Sequence, residues 1–127
     1  MTGLKKILHI DDDAVMRMMI RKSLERSQKD FDIVSCASSN EFIENISSFL
    51  PDLLIIDVVM PEIKGPDLLK KIREKSCYIP AIFMTGQDDL KIDDREKLEP
   101  IIGIIQKPFS PTTLGDDLIG MWNGFKS

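Results

Sequence analysis

Apolar residues in this chain come in short blocks, and polar residues close each block abruptly. The longest block, Leu53-Leu54-Ile55-Ile56, ends in Asp57 and is followed by Val58-Val59-Met60, all between Pro51-Asp52 and Pro61. A continuous run of this kind predicts a strand buried on both faces, at the centre of a parallel sheet. Lys5 to Ile10, Phe31 to Ser35, Ile79 to Met84 and Ile101 to Gln106 predict four more strands. Pro80 fits only near the start of its strand, because it has no N–H for the ladder.

Between these blocks the spacing becomes helical. Val15, Met18, Met19 and Leu24 recur behind Asp13, a suitable N-cap, and Met16, Met18 and Met19 read as core and rim. Ser38-Ser39-Asn40-Glu41 has capping-box spacing ahead of the stripe Phe42, Ile43, Ile46, Phe49 and Leu50. Gly65 lies in the loop after the central strand, and Pro66 suits the first position of a helix carrying Leu68, Leu69 and Ile72. Leu90 to Leu98 predicts a weak, acidic helix closed by Glu99-Pro100. The last helix opens at Ser110-Pro111 and turns Leu114, Leu118, Met121 and Trp122 inward. Gly115 and Gly120 in its interior weaken it by about 1 kcal/mol each.

Five strands alternating with five helices predict an α/β fold: a doubly wound, five-stranded parallel sheet with helices on both faces. No linker, repeat or low-complexity segment interrupts the pattern, so one domain over residues 1–127 is expected, with its core from about 5 to 122.

Composition narrows the partners. Lys and Arg total 17 against 21 Asp and Glu, a net charge of −4, and the cations are scattered. No basic stripe for nucleic acid exists. Cys36 and Cys77 show no metal-ligand or CxxC spacing and read as small apolar residues in a reducing compartment. No apolar run approaches membrane-spanning length, and the cytoplasm is the expected location.

The polar residues that end the strands carry the candidate chemistry. Asp11-Asp12 follows the first strand, Asp57 the third, Thr85 the fourth and Lys107 the fifth. In a doubly wound sheet these exits share one edge, where ligands bind. Three carboxylates in one pocket repel one another unless a cation neutralises them, and an all-oxygen site suits Mg²⁺. A lysine and a threonine hydroxyl beside such a metal suit a phosphoryl group. His9, in mid-strand between Leu8 and Ile10, reads as a packed structural histidine.

Asp11-Asp12, Asp57, Thr85 and Lys107-Pro108-Phe109, in this order and spacing, resemble the signature of the receiver domain of two-component response regulators. The stretch from Pro51 to Leu69 is similar to that family almost position by position, and the resemblance extends from about Lys5 to Trp122. It implies the flavodoxin-like strand order 2-1-3-4-5 of single-domain, CheY-like receivers. It implies that Asp57 accepts a phosphoryl group from a histidine kinase or a histidine phosphotransfer protein. Mg²⁺ would be held by Asp12, Asp57 and the backbone carbonyl of Val59, with Asp11 acting mainly through water. Thr85 would bond the phosphoryl group and Lys107 would pair with one of its oxygens, across a cis Lys107-Pro108 bond. The signal would leave as a surface change read by a downstream protein. Such a chain is a phosphorylation switch, not an enzyme with a separate substrate. With nothing after Ser127, a stand-alone or excised receiver is expected.

One position departs from the family. Ile104 stands where receivers commonly carry Tyr or Phe, three residues before the lysine. Other readings fit less well. A flavodoxin-type cofactor carrier needs a Ser/Thr/Gly-rich phosphate loop where three aspartates stand, and a P-loop nucleotide hydrolase is excluded by the missing GxxxxGK[ST]. A metal-dependent aspartyl phosphatase needs a cap that this length leaves no room for. The remaining alternative is an adaptor of the same fold that binds partners without phosphorylation.

Overall fold

A computed structural model of the chain describes residues 3–87 and 90–127. Its elements run β1 (Lys6–Ile10), α1 (Ala14–Arg26), β2 (Asp32–Cys36), α2 (Ser39–Phe49), β3 (Leu53–Asp57), α3 (Gly65–Glu74), β4 (Ala81–Thr85), β5 (Ile101–Gln106) and α4 (Leu114–Lys126). The strands form one parallel sheet in the order β2-β1-β3-β4-β5. All five residues of β3 are buried, as its unbroken apolar run requires. Alternate residues feed two core layers. Leu8, Ile10, Leu54, Ile56 and Phe83 meet Phe42 of α2 and Leu68, Leu69 and Ile72 of α3. Ile7, Leu53, Ile55, Ile82 and Met84 meet Ile20 and Leu24 of α1 and Leu114, Leu118 and Trp122 of α4.

The expected caps form. Asp13 accepts from the N–H groups of Val15 and Met16, and the Ser38 hydroxyl accepts from Glu41 N–H. The returning bond of the capping box reaches one residue further back, with Glu41 Oε1 accepting from Ala37 N–H at 2.8 Å.

Several sequence expectations need correction. The segment 90–98 holds no α-helix: only a 3₁₀ turn forms, at Arg95–Lys97, so four α-helices occur among the described residues. Asp94 takes a left-handed conformation (φ 53°), which no α-helix continues through, while Leu90, Ile92 and Leu98 reach the core without helical spacing. The last helix opens at Leu114 because Ser110 O already accepts from Thr113 and Leu114 N–H, closing a turn first. Pro80 lies outside β4, with its carbonyl accepting from Leu54 N–H. In α1 the buried positions are Ile20, Ser23 and Leu24, whereas Val15, Met18 and Met19 are exposed. Met16 is half-buried against the core, and so is Met121 of α4.

The edge where the strands begin carries a different device. Arg73, at 6% exposure, sends Nε to Leu98 O (2.9 Å), Nη1 to Cys77 O (2.9 Å) and Ile79 O (2.8 Å), and Nη2 to Pro100 O (3.1 Å). One guanidinium thus ties the end of α3 to the segments leading into β4 and β5. On the same edge the chain leaves α1, α2 and α3 through left-handed residues that are not glycine: Gln28, Asp30, Leu50 and Ser76, with φ of 58°, 59°, 55° and 61°.

Candidate functional site

At the opposite edge, register alone aligns the strand exits. Ile10 pairs with Ile56, Asp57 with Met84, and Thr85 with Gln106. Asp11, Asp57, Thr85 and Lys107 therefore leave the sheet at neighbouring points. Asp11 is 1% exposed and Asp57 4%, while Asp12 faces solvent. Carboxylate oxygens of Asp11, Asp12 and Asp57 all lie within 4.8 Å of one another. Lys107 Nζ donates to Asp57 Oδ1 at 2.7 Å and to Asp11 Oδ2 at 3.0 Å, and the Lys107-Pro108 peptide is cis.

Local bonds hold these groups in place. Asp11 Oδ1 accepts from Asp13 N–H (2.9 Å), turning the chain into α1. Arg17 Nη1 donates to the Asp11 carbonyl (2.7 Å), a brace that the sequence offers only as a cation one turn into the helix. Gly65 N–H donates to Val58 O (2.8 Å), pressing the start of α3 against the exit of β3. A Cβ at Gly65 would lie 2.6 Å from the Asp57 carbonyl and 3.0 Å from Val58 Cα, so only glycine allows this approach. Among the described residues the Val59 carbonyl accepts no hydrogen bond, and Val59, two residues after Asp57, is 61% exposed. Thr85 Oγ1 accepts from Gln87 N–H at 3.0 Å. Among the described residues its own proton has no acceptor, which leaves it to a ligand.

The electrostatics follow from three carboxylates against one ammonium. Burial raises the Asp57 pKa above its ordinary value, as do Asp11 and Asp12, while the Lys107 bond opposes the shift. Burial disfavours the Lys107 charge, yet its bonds to Asp57 and Asp11 outweigh that and raise its pKa. The donors are hard oxygens with a surplus of negative charge, a set that fits a small divalent cation such as Mg²⁺. His9 is fully buried, with Nδ1 at 3.2 Å from Ser35 Oγ and no partner for Nε2 among the described residues. Burial lowers its pKa to about 4, with Lys107 and Arg17 adding to the shift and Asp11 opposing it, so the ring is neutral near pH 7. Gln87 is exposed, and its carbonyl accepts from Gln106 Nε2 at 3.3 Å.

This arrangement has close parallels. The family model described as "Response regulator receiver domain" matches residues 7–118. The chain belongs to that family. Among solved structures the receiver resembles the chemotaxis response regulator CheY4 of Vibrio cholerae, 25% identical, with a TM-score of 0.79 over 94% of this chain and 99% of that one. A putative response regulator from Chloroflexus aurantiacus is 28% identical, with a TM-score of 0.77 over 96% and 99% of the two chains. PhoP, the alkaline phosphatase synthesis transcriptional regulatory protein of Bacillus subtilis, is 27% identical over 114 residues, 84% of this receiver and 44% of PhoP. The probable transcriptional regulator ycf27 of Porphyridium aerugineum is 32% identical over 117 residues, 87% of this receiver and 45% of ycf27. The receiver thus spans less than half the length of these two regulators. None of its described helices is long and apolar enough to cross a membrane.

Proposed function

We propose that Asp57 accepts a phosphoryl group from a phosphohistidine, borne by a histidine kinase or a histidine phosphotransfer protein. The observation that carries this reading is Lys107 Nζ, held at once against Asp57 Oδ1 and Asp11 Oδ2 where the buried strands end. A carboxylate attacks an anionic phosphorus poorly unless cations cancel the repulsion. In the transfer an Asp57 oxygen forms the new O–P bond while the N–P bond breaks, and the imidazole leaves with the electron pair and takes up a proton. Lys107 opposes the effect of burial on the Asp57 carboxylate and then pairs with a phosphoryl oxygen. The free proton of Thr85 is donated to another phosphoryl oxygen. Asp12, Asp57 and the Val59 carbonyl would hold Mg²⁺, with Asp11 acting mainly through water. When bound, the ion supplies positive charge for the phosphoryl oxygens. No general base is needed, because the work is positioning and charge neutralisation. The chain then acts as a cytoplasmic switch whose altered surface is read by a downstream protein.

Incubation with acetyl phosphate and Mg²⁺ tests this reading. We expect one phosphoryl group per chain, stable to acid and labile to base and hydroxylamine, and lost in Asp57→Asn while the fold persists. Labelling of the Asn variant at the wild-type rate overturns the assignment. A folded wild-type chain that never labels supports the phosphorylation-independent adaptor instead.

A further inference from the structure

A cavity opens away from the acidic cluster, between α1 and the turn that leads into α4. It encloses about 390 Å³ and is lined by Met19, Lys22, Ser23 and Arg26 of α1 and by Pro111 and Thr112 across from them. That volume lies in the range of small-molecule sites. Its chemistry is one-sided. Lys22 and Arg26 stand one turn apart on the same helix face, where like charges repel. Neither forms an ion pair among the described residues, although nearby Lys29 is paired with Asp116 at 3.0 Å. Among the described residues no carboxylate lines the cavity. Met19 and Pro111 supply apolar walls, and the Thr112 hydroxyl adds a polar group at the mouth. The back is fixed, because Ser23 is 4% exposed and its Oγ donates to Pro111 O at 2.6 Å.

We propose that this cavity binds a small organic anion with an apolar body, such as an aryl or acyl carboxylate, sulfonate or phosphate ester. The anionic group sits between Lys22 and Arg26, and the apolar body lies along Met19 and Pro111. Pro111 is four residues beyond Lys107, so an occupant bridges α1 to the segment that carries the Lys107 ammonium. The site uses no residue of the acidic cluster and stands whether or not Asp57 is phosphorylated.

Anilinonaphthalenesulfonate serves as the probe, because it carries both chemistries and donates no phosphoryl group. Fluorescence titration and amide shift mapping are run on the wild-type chain and on Asp57→Asn. Saturable binding of one probe per chain is expected in both, with the largest shifts at Met19, Ser23 and Thr112. The neutral N-phenylnaphthylamine, and a Lys22→Gln/Arg26→Gln chain with an unchanged circular dichroism spectrum, should each bind at least about tenfold more weakly. Equal binding by the neutral compound, undiminished binding by the double variant, or shifts centred elsewhere overturns the proposal.

Discussion

Replacing Arg73 by leucine removes the guanidinium while keeping most of the aliphatic stem's volume, and so isolates the polar contribution of the staple. Four carbonyls, those of Leu98, Cys77, Ile79 and Pro100, lose the guanidinium together, and among the described residues Pro100 O alone keeps a second donor, Ala81 N–H at 3.0 Å. Bonds from a charged donor are worth about 1.5–3 kcal/mol each, so four independent ones would total about 6–12 kcal/mol. They are not independent. All four share one cation, whose burial already costs several kcal/mol, and leucine returns apolar contact. Breaking a buried charged arrangement from one side costs about 3–5 kcal/mol, and that is the expected loss. Urea unfolding followed by circular dichroism reads it directly. With a slope of about 2 kcal/mol per molar, the midpoint should fall by about 2 M with the slope unchanged. Phosphorylation of folded Arg73→Leu by acetyl phosphate should match wild type, because the staple lies at the opposite edge from Asp57. A loss below about 1 kcal/mol at constant slope would show that water replaces the guanidinium at little cost, refuting the reasoning.

Three further outcomes follow from other parts of the structure. Val59, two residues after Asp57, is apolar and exposed and cannot orient a hydrolytic water, so Val59→Asn should shorten the lifetime of the phosphoryl group; an equal or slower decay of label counts against this. The Cys36 thiol is pushed up from 9.0 to about 12, first by burial and then by Glu41, with Arg17 opposing. Its folded pKa lies above the unfolded one, so its contribution is complete below about pH 9 and drains away as pH rises toward about 12. Cys36→Ala should therefore lose stability more shallowly across that window, by up to about 1.4 kcal/mol per pH unit, and identical alkaline slopes would exclude the effect. Ile104 is half-buried against the core and lacks the bulk and hydroxyl of an aromatic relay, so a phosphoryl mimic should alter amide exchange across residues 90–110 through shifts of aliphatic contacts. Changes confined to the Asp57 loop would sink that account.

The acidic cluster was readable because charge interrupts apolar runs at the ends of buried strands, where few other roles suit an aspartate or a lysine. Asp11, Asp57 and Lys107 met as expected for that reason. Arg73 was not readable, because its partners are backbone carbonyls, which leave no mark on a sequence. In the sequence it looks like one more cation among Lys70, Lys71 and Lys75. Segment 90–98 misled for a related reason. Its polarity fits a weak helix or an irregular crossover equally well, and the left-handed turn at Asp94 decided between them. On α1 the exposed Val15, Met18 and Met19 competed with Ile20 and Leu24 for the inward face. Periodicity placed the helix correctly and its rotation only in part.

The left-handed residues that end the first three helices bear on how much stability this sequence leaves unused. A non-glycine residue in that conformation is disfavoured by about 1–2 kcal/mol, and Gln28, Asp30, Leu50 and Ser76 all adopt it on the edge remote from Asp57. Leu50 carries the poorest side chain for the role, being apolar and 68% exposed. Glycine at such positions would relieve the conformation without touching a carboxylate, the lysine or the threonine. These four improvable positions thus lie at one end and the chemistry at the other. A hardened version of the scaffold is reachable by changes that leave the acidic edge as it is.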